Sequence, residues 1–256
     1  MTKNLAIVLP MYNEKERLPK AFEQLRQVVD RIYPEFLSRL FVFVDGSTDG
    51  TPKVARSLIT GLQLPANYHY TNKNTGLALT TSKAFSAAIY CGNDYVLKTD
   101  VDGDFDLGEV VLKLTQESRN GADAIIGVRE FKGKSLQEIQ AREYVLGILE
   151  KEFGKDAVRL DPAQVGSYLY KADALGRVMQ DDAVTYFIGR WGFDFLLSLV
   201  SLSRGLDVRT INLPYVNGDE ARRNVQKVNQ QYATYLPIIA AAKYGFSPEV
   251  KSLLTT

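Results

Sequence analysis

The chain has 256 residues, 45% hydrophobic and 24% charged, an ordinary globular mix able to bury a large core. Lys plus Arg is 31 and Asp plus Glu is 30, so the net charge of +1 gives no electrostatic reason to expect a nucleic-acid partner. The single cysteine, Cys91, excludes an internal disulfide and fits a reducing cytoplasm. The single histidine, His69, argues against a Cys/His zinc site and against a Ser-His-Asp triad.

Taken in chain order, short apolar runs alternate with segments of helical periodicity. Asn4–Leu9 reads as a strand, with no cleavage-like site after it, so no secretory leader is expected. Glu14–Tyr33 carries Leu18, Phe22, Leu25, Val28, Val29 and Ile32 on one helical face. Leu40–Val44 is the second strand and Pro52–Leu62 the second helix. Tyr68–Tyr70, Leu79–Tyr90, Tyr95–Lys98 and Leu107–Asn120 continue the alternation, followed by Ala124–Gly127 and Leu136–Phe153. Gly166–Tyr170, Phe193–Arg204 and Val208–Asn212 complete it. Repeated strand–helix–strand units predict an α/β fold, a Rossmann-like and mostly parallel central sheet flanked by helices. From Asp219 a charged hinge leads into an apolar tail helix that Pro237 is expected to interrupt. No run reaches the roughly 18 apolar residues that a membrane span requires.

Three polar motifs each follow an apolar run directly: Pro10-Met-Tyr-Asn-Glu14, Asp45-Gly-Ser-Thr-Asp-Gly50 and Asp100-Val-Asp102. In parallel sheets, ligands bind beyond the carboxyl ends of the strands, where all three fall. Two carboxylates one residue apart at a strand end can share a hard cation, and Mg²⁺ or Mn²⁺ commonly bridges carboxylate to phosphate. The bland alternative is a solvated acidic turn bent at Gly103. An EF-hand fails, because Phe105 and Val111 stand where glycine and glutamate are required. In the first motif, Tyr12 offers a stacking face, and Asn13 or Glu14 is expected to cap the helix. In the second, Asp45 can accept from a base imide, and Thr48 or Asp49 can cap the next helix. There is no Walker A lysine and no Gly-x-Gly-x-x-Gly after the first strand.

Ile7-Val-Leu-Pro-Met-Tyr-Asn-Glu14, Val44-Asp-Gly-Ser-Thr-Asp-Gly-Thr51 and Lys98-Thr-Asp-Val-Asp102 resemble the inverting family 2 glycosyltransferases of GT-A fold, within them the dolichyl- or polyprenyl-phosphate mannose and glucose synthases. Asp123–Arg129, Asp161–Lys171 and Gly192–Leu197 extend the likeness over about residues 4–215. The resemblance implies transfer of a hexose from a UDP- or GDP-sugar. Pro10, Tyr12, Glu14 and Asp45 would hold the nucleoside, and Asp100 and Asp102 the metal and diphosphate. Arg129 and Arg142 would grip phosphate near the acceptor, a task that suits an arginine fork. Lys73, in the loop Thr71–Gly76, is expected as a further nucleotide contact.

A hydroxyl acceptor needs a general base, for which Asp194 is the first candidate and Asp161 the second; a phosphate acceptor needs none. Val44 stands where the family has the first of two acids, and Leu196 where it has glutamate, which bears on the acceptor more than on the donor. The implied organisation is a GT-A domain over 1–218, with about 1–105 as nucleotide-binding half and 106–218 as acceptor half, followed by a helical tail over 219–256. That tail permits a membrane surface or a second copy as partner, or simple cover for the core. The expected location is cytoplasmic, with peripheral contact at the inner membrane face for a lipid-phosphate acceptor. Two other classes compete. A haloacid-dehalogenase-type phosphatase would use Asp100-Val-Asp-Gly103 as its nucleophile loop, but that loop normally follows the first strand. A non-catalytic nucleotide-sugar-binding protein is permitted by Val44 and Leu196.

Overall fold

Why the first strand lies in the sheet's interior is visible in its burial. In β1 (Lys3–Met11), every residue from Leu5 to Met11 is buried, so both faces of the sheet are covered there. Alternate residues serve the two sides: Leu5, Ile7 and Leu9 enter one apolar cluster, Ala6 and Val8 the other. The computed structural model describes residues 1–128, 136–160, 164–188, 192–214 and 225–245.

The remaining strands are β2 (Phe36–Asp45), β3 (Ala66–Thr71), β4 (Tyr95–Lys98), β5 (Ala124–Val128), β6 (Gln164–Lys171) and β7 (Val208–Asn212). The helices are α1 (Leu18–Ile32), α2 (Thr51–Gly61), α3 (Leu77–Tyr90), α4 (Leu107–Glu117), α5 (Leu136–Phe153), α6 (Ala172–Met179), α7 (Asp182–Phe187), α8 (Phe193–Ser203) and α9 (Val225–Tyr244). One seven-stranded sheet runs β3-β2-β1-β4-β6-β5-β7. All pairs are parallel except those of β6, which runs antiparallel to both β4 and β5. Every expected strand is present, most of them longer than their apolar cores, because a strand's polar ends still pair.

On one face lie α1, α2 and α4, around Phe22, Leu25, Val110 and Leu114. On the other lie α3, α6, α7, α8 and α9, around Phe85, Leu175, Val184, Leu197 and Ile239. Between β1 and β4 the chain changes direction across the sheet: β1 leads outward to β2 and β3, and α3 returns it to β4 on the other side. That is the topological switch point, where a crevice opens past the strand ends.

Three local expectations need correction. The first helix starts at Leu18, with Arg17 at its N-cap and no side-chain cap, so neither Asn13 nor Glu14 caps it. Asn13 instead takes a left-handed conformation (φ 56°). Its N–H donates to Ser47 Oγ and its Oδ1 accepts from Thr48 N–H, tying the first loop to the second. At α2, Gly50 holds the N-cap position and Asp49 Oδ1 accepts the Thr51 N–H. Pro237 lies inside a continuous α9. The short helices α6 and α7 were not anticipated, since six to eight residues give too little periodicity to read.

Candidate functional site

A cleft of about 400 Å³ opens at the carboxyl ends of β1, β2 and β4. Pro10, Tyr12 and Glu14 line it from the β1 loop, Asp45 from the end of β2, and Asp100 and Asp102 from the loop after β4. Asn74, Gly76, Leu77 and Thr80 complete the wall from the β3–α3 connection. Six of the seven expected donor-side residues therefore meet in one place. Lys73 is the exception: its backbone packs under the loop, and it is not part of the lining. Tyr12 is 47% exposed and presents a ring at the mouth, beside the exposed Leu77.

Asp45 organises the loop opposite. Its buried carboxylate accepts from Thr71 Oγ1 at 3.0 Å, from Thr75 N–H and Oγ1 at 2.9–3.0 Å, and from Gly76 N–H at 2.8 Å. Burial alone would raise its pKa. The donated hydrogen bonds from Thr75, Thr80 and Thr71 outweigh burial and hold it below the usual carboxylate value. Gly46, next in sequence, has φ +64°, and a Cβ there would sit 2.1 Å from Asn74 N and 2.4 Å from the Lys73 carbonyl carbon. The second motif thus needs glycine because the 73–74 backbone lies directly on it.

The acid-rich loop divides its tasks. Asp106 caps α4 by accepting from Glu109 N–H, and Gln24 holds its other oxygen at 2.7 Å. Asp102 Oδ1 accepts from Asp104 N–H at 3.1 Å, bending the loop at its apex. Asp100 turns the other way, toward β6. Its Oδ1 meets Lys98 Nζ at 2.9 Å. Among the described residues no cluster of three or more His, Cys, Asp or Glu forms a closed cage. Asp100 and Asp102 both bring hard carboxylate oxygens to the cleft wall, Asp100 while paired with Lys98, and such oxygens suit a cation that completes its shell with water and phosphate.

Lys98 was not singled out from the sequence. It is the last residue of β4, 0% exposed, on the face shared with Val96. Its ammonium has three acceptors: Gly166 O at 2.7 Å, Asp100 Oδ1 at 2.9 Å and Asp194 Oδ2 at 3.4 Å. Burial would lower its pKa, but Asp100 and Asp194 outweigh burial and hold it above the ordinary lysine value. Burial also raises Asp100, to about 6, against the pull of Lys98. Tyr168, opposite Lys98 across the β4–β6 pair, donates its hydroxyl to Asp194 Oδ1 at 2.8 Å. Its own pKa is pushed well above 10 by burial first, then by the Asp194 charge. Asp194 stands at the start of α8, so β4, β6 and α8 converge on one carboxylate. The only sequence signal for Lys98 was its parity: a lysine in register with the inward residues of a buried strand must find counter-charges.

Arg142 lies half-buried on α5, apart from the cleft lining. Arg129 and Asp161 fall outside the described residues.

With that geometry in place, comparison with known proteins is direct. The glycosyl transferase family 2 model matches residues 6–171. The chain belongs to this family, and its fold is that of the GT-A glycosyltransferases. It is 24% identical over 181 residues to a polyprenol monophosphomannose synthase of Mycolicibacterium smegmatis, covering 69% of this chain and 65% of that one. It is 28% identical over 134 residues to a dolichol-phosphate mannosyltransferase of Pyrococcus furiosus, covering 52% and 35%. The chain thus spans 65% and 35% of the lengths of these two relatives. Among solved structures it is similar to glucosyl-3-phosphoglycerate synthase from Mycobacterium tuberculosis in complex with Mg²⁺ and UDP. The TM-score is 0.60 at 17% identity, covering 96% of this chain and 81% of that one. The last likeness is one of fold.

Proposed function

We propose that this chain is an inverting hexosyltransferase that takes a UDP- or GDP-hexose as donor. One observation carries the reading: Pro10, Tyr12, Glu14, Asp45, Asp100 and Asp102, spread over the ends of three strands and the loops that follow, line a single cleft at the switch point of the sheet. The nucleoside lies between Tyr12 and the wall that Asp45 organises. Asp100 and Asp102 are the residues that would hold Mg²⁺ or Mn²⁺, whose charge would favour departure of the nucleoside diphosphate. The solved neighbour with Mg²⁺ and UDP supports that pairing of metal and nucleotide.

Transfer breaks the bond between the anomeric carbon and the diphosphate oxygen, and forms a bond from that carbon to an acceptor oxygen on the opposite face. A hydroxyl acceptor must lose its proton. Asp194 would receive it; one of its oxygens accepts from the Tyr168 hydroxyl and the other meets Lys98. The names of the two mannosyl-transferring relatives support a polyprenyl phosphate as acceptor. A second acceptor class, an alcohol, goes with Asp194 as base, since a carboxylate assists a neutral hydroxyl and repels a phosphate.

The test is to incubate the full chain and Mn²⁺ with UDP-glucose or GDP-mannose, adding either a polyprenyl phosphate or a panel of polyols and sugar alcohols. Hexose transfer with the opposite anomeric configuration, read by NMR of the product, is expected. Binding of the nucleotides without transfer or donor hydrolysis would instead favour a non-catalytic nucleotide-sugar-binding protein. Turnover of an aryl phosphate, with both donors left intact, would favour a phosphatase.

A further inference from the structure

We infer that Lys98 is a positioning residue for the transfer step, holding the Asp194 carboxylate at the acceptor face while tying it to Asp100 on the donor side. The inference rests on the transferase reading and adds a residue to it.

Its basis is placement. A fully buried ammonium costs several kcal/mol unless its protons are matched by acceptors. Lys98 has three acceptors, and each comes from a different element: Asp100 from the loop after β4, Gly166 from β6 and Asp194 from α8. A strand residue in the apolar layer shared with Val96 and Tyr168 would be filled more simply by leucine or valine. The lysine therefore stands between two carboxylates, Asp100 and Asp194, that would otherwise repel each other.

The local backbone is shaped around this contact. Gly166 adopts φ +67°, and a Cβ there would lie 2.6 Å from Asp100 Oδ2 and 3.1 Å from Lys98 Nζ. Any other residue would push the lysine and the first acid apart. Asp194 is held at both oxygens, by Tyr168 on one side and Lys98 on the other, so its two carboxylate positions are not interchangeable. Removing Tyr168 would free one oxygen; removing Lys98 frees the other and leaves Asp100 and Asp194 facing without a counter-charge. Lys98 is fully buried and outside the cleft lining, so in this role it acts through Asp194.

The experiment is a double-mutant cycle on the full chain with Mn²⁺ and the polyol and polyprenyl-phosphate acceptors, reading acceptor-dependent UDP release from UDP-glucose and GDP release from GDP-mannose. Lys98→Met is expected to lower kcat about 100-fold, as loss of an oriented base does. Mn²⁺·UDP affinity and donor KM should shift by no more than about threefold, and Lys98→Met/Asp194→Asn should be no slower than Asp194→Asn alone within about threefold. Losses that multiply in the double variant would overturn the inference, as would a Lys98→Met enzyme of wild-type kcat, or one whose defect lies wholly in nucleotide affinity. If Lys98→Met does not fold, Lys98→Gln carries the same cycle, since it keeps a donor at similar reach. Failure of both to fold would make the lysine a stability element and refute the positioning role. A wild-type chain that turns over neither donor refutes the transferase reading and this role with it. Turnover by the wild type with Lys98→Met unimpaired refutes only the role of Lys98.

Discussion

A carboxylate with hydrogen-bond donors on both oxygens, as at Asp45, is a structural anchor before it is a ligand contact. Asp45→Asn replaces one accepting oxygen with a donor that faces N–H and O–H groups, and should cost about 1–3 kcal/mol of stability. The pH dependence follows from the lowered pKa of the folded state. The stabilisation is fully present above the unfolded carboxylate value of about 3.9 and is lost as pH falls through the lower folded value. Urea midpoints of wild type and Asp45→Asn should therefore differ by a constant amount near neutrality and converge in acid. A gap that does not narrow as pH falls below about 3.9 would contradict this. At the same scale, the place of Asp100 and Asp102 on the cleft wall was readable from the sequence because they follow an apolar run, as the other two motifs do. Lys98 was not, because its meaning depends on partners 68 and 96 positions away in sequence.

The elements that build the site are loops after parallel strands, and their fit is backbone on backbone. Gly46→Ala adds about 1–2 kcal/mol of left-handed strain, and its Cβ would collide with the 73–74 peptide. The expected result is a 73–77 wall displaced from the cleft and an Mn²⁺·UDP affinity weakened about tenfold or more, equivalent to roughly 1.4 kcal/mol. Calorimetry on a variant whose circular dichroism matches wild type measures it, and unchanged affinity would show that this wall does not touch the nucleotide. The alternation of strands and helices was legible because each run satisfies a period of 2 or 3.6. The antiparallel insertion of β6 between β4 and β5 was not, because strand order depends on long-range pairing that leaves no local mark. That insertion brings Gly166 and Tyr168 beside Lys98, so the surroundings of Asp194 were less legible than the three-motif cleft.

Across the whole molecule, the last helix belongs to the core. Tyr235, Ile238, Ile239, Ala241 and Ala242 are buried in the cluster shared with α5 and α8, and the Tyr235 ring packs edge-on against Phe195 at 4.9 Å. Ile238 Cδ1 lies 2.2 Å from where a Cβ on Gly192 would stand, so α9 presses on the turn that starts α8 and carries Asp194. Ile238→Ala should cost about 2–5 kcal/mol by leaving a cavity there. Thermal unfolding read by fluorescence and by far-UV signal should show one transition shifted downward. A variant as stable as wild type would mean that the helix is dispensable to the core. The tail's apolar run was visible in the sequence, but its partner was not, since an apolar face fits a core, a membrane or a second copy equally well. No helix among the described residues is long and apolar enough to cross a membrane.

The central claim is that a divalent cation between Asp100, Asp102 and a nucleoside diphosphate seats the donor in this cleft. Titration calorimetry of UDP and GDP into wild type and Asp102→Ala, each with Mn²⁺ and with EDTA, tests it most directly. Tight binding of one nucleotide by wild type with Mn²⁺ is predicted, weakened at least about tenfold by EDTA or by Asp102→Ala, with the fold of the variant intact. Equal affinity in all four conditions, or no binding of either nucleotide by wild type, would contradict the account.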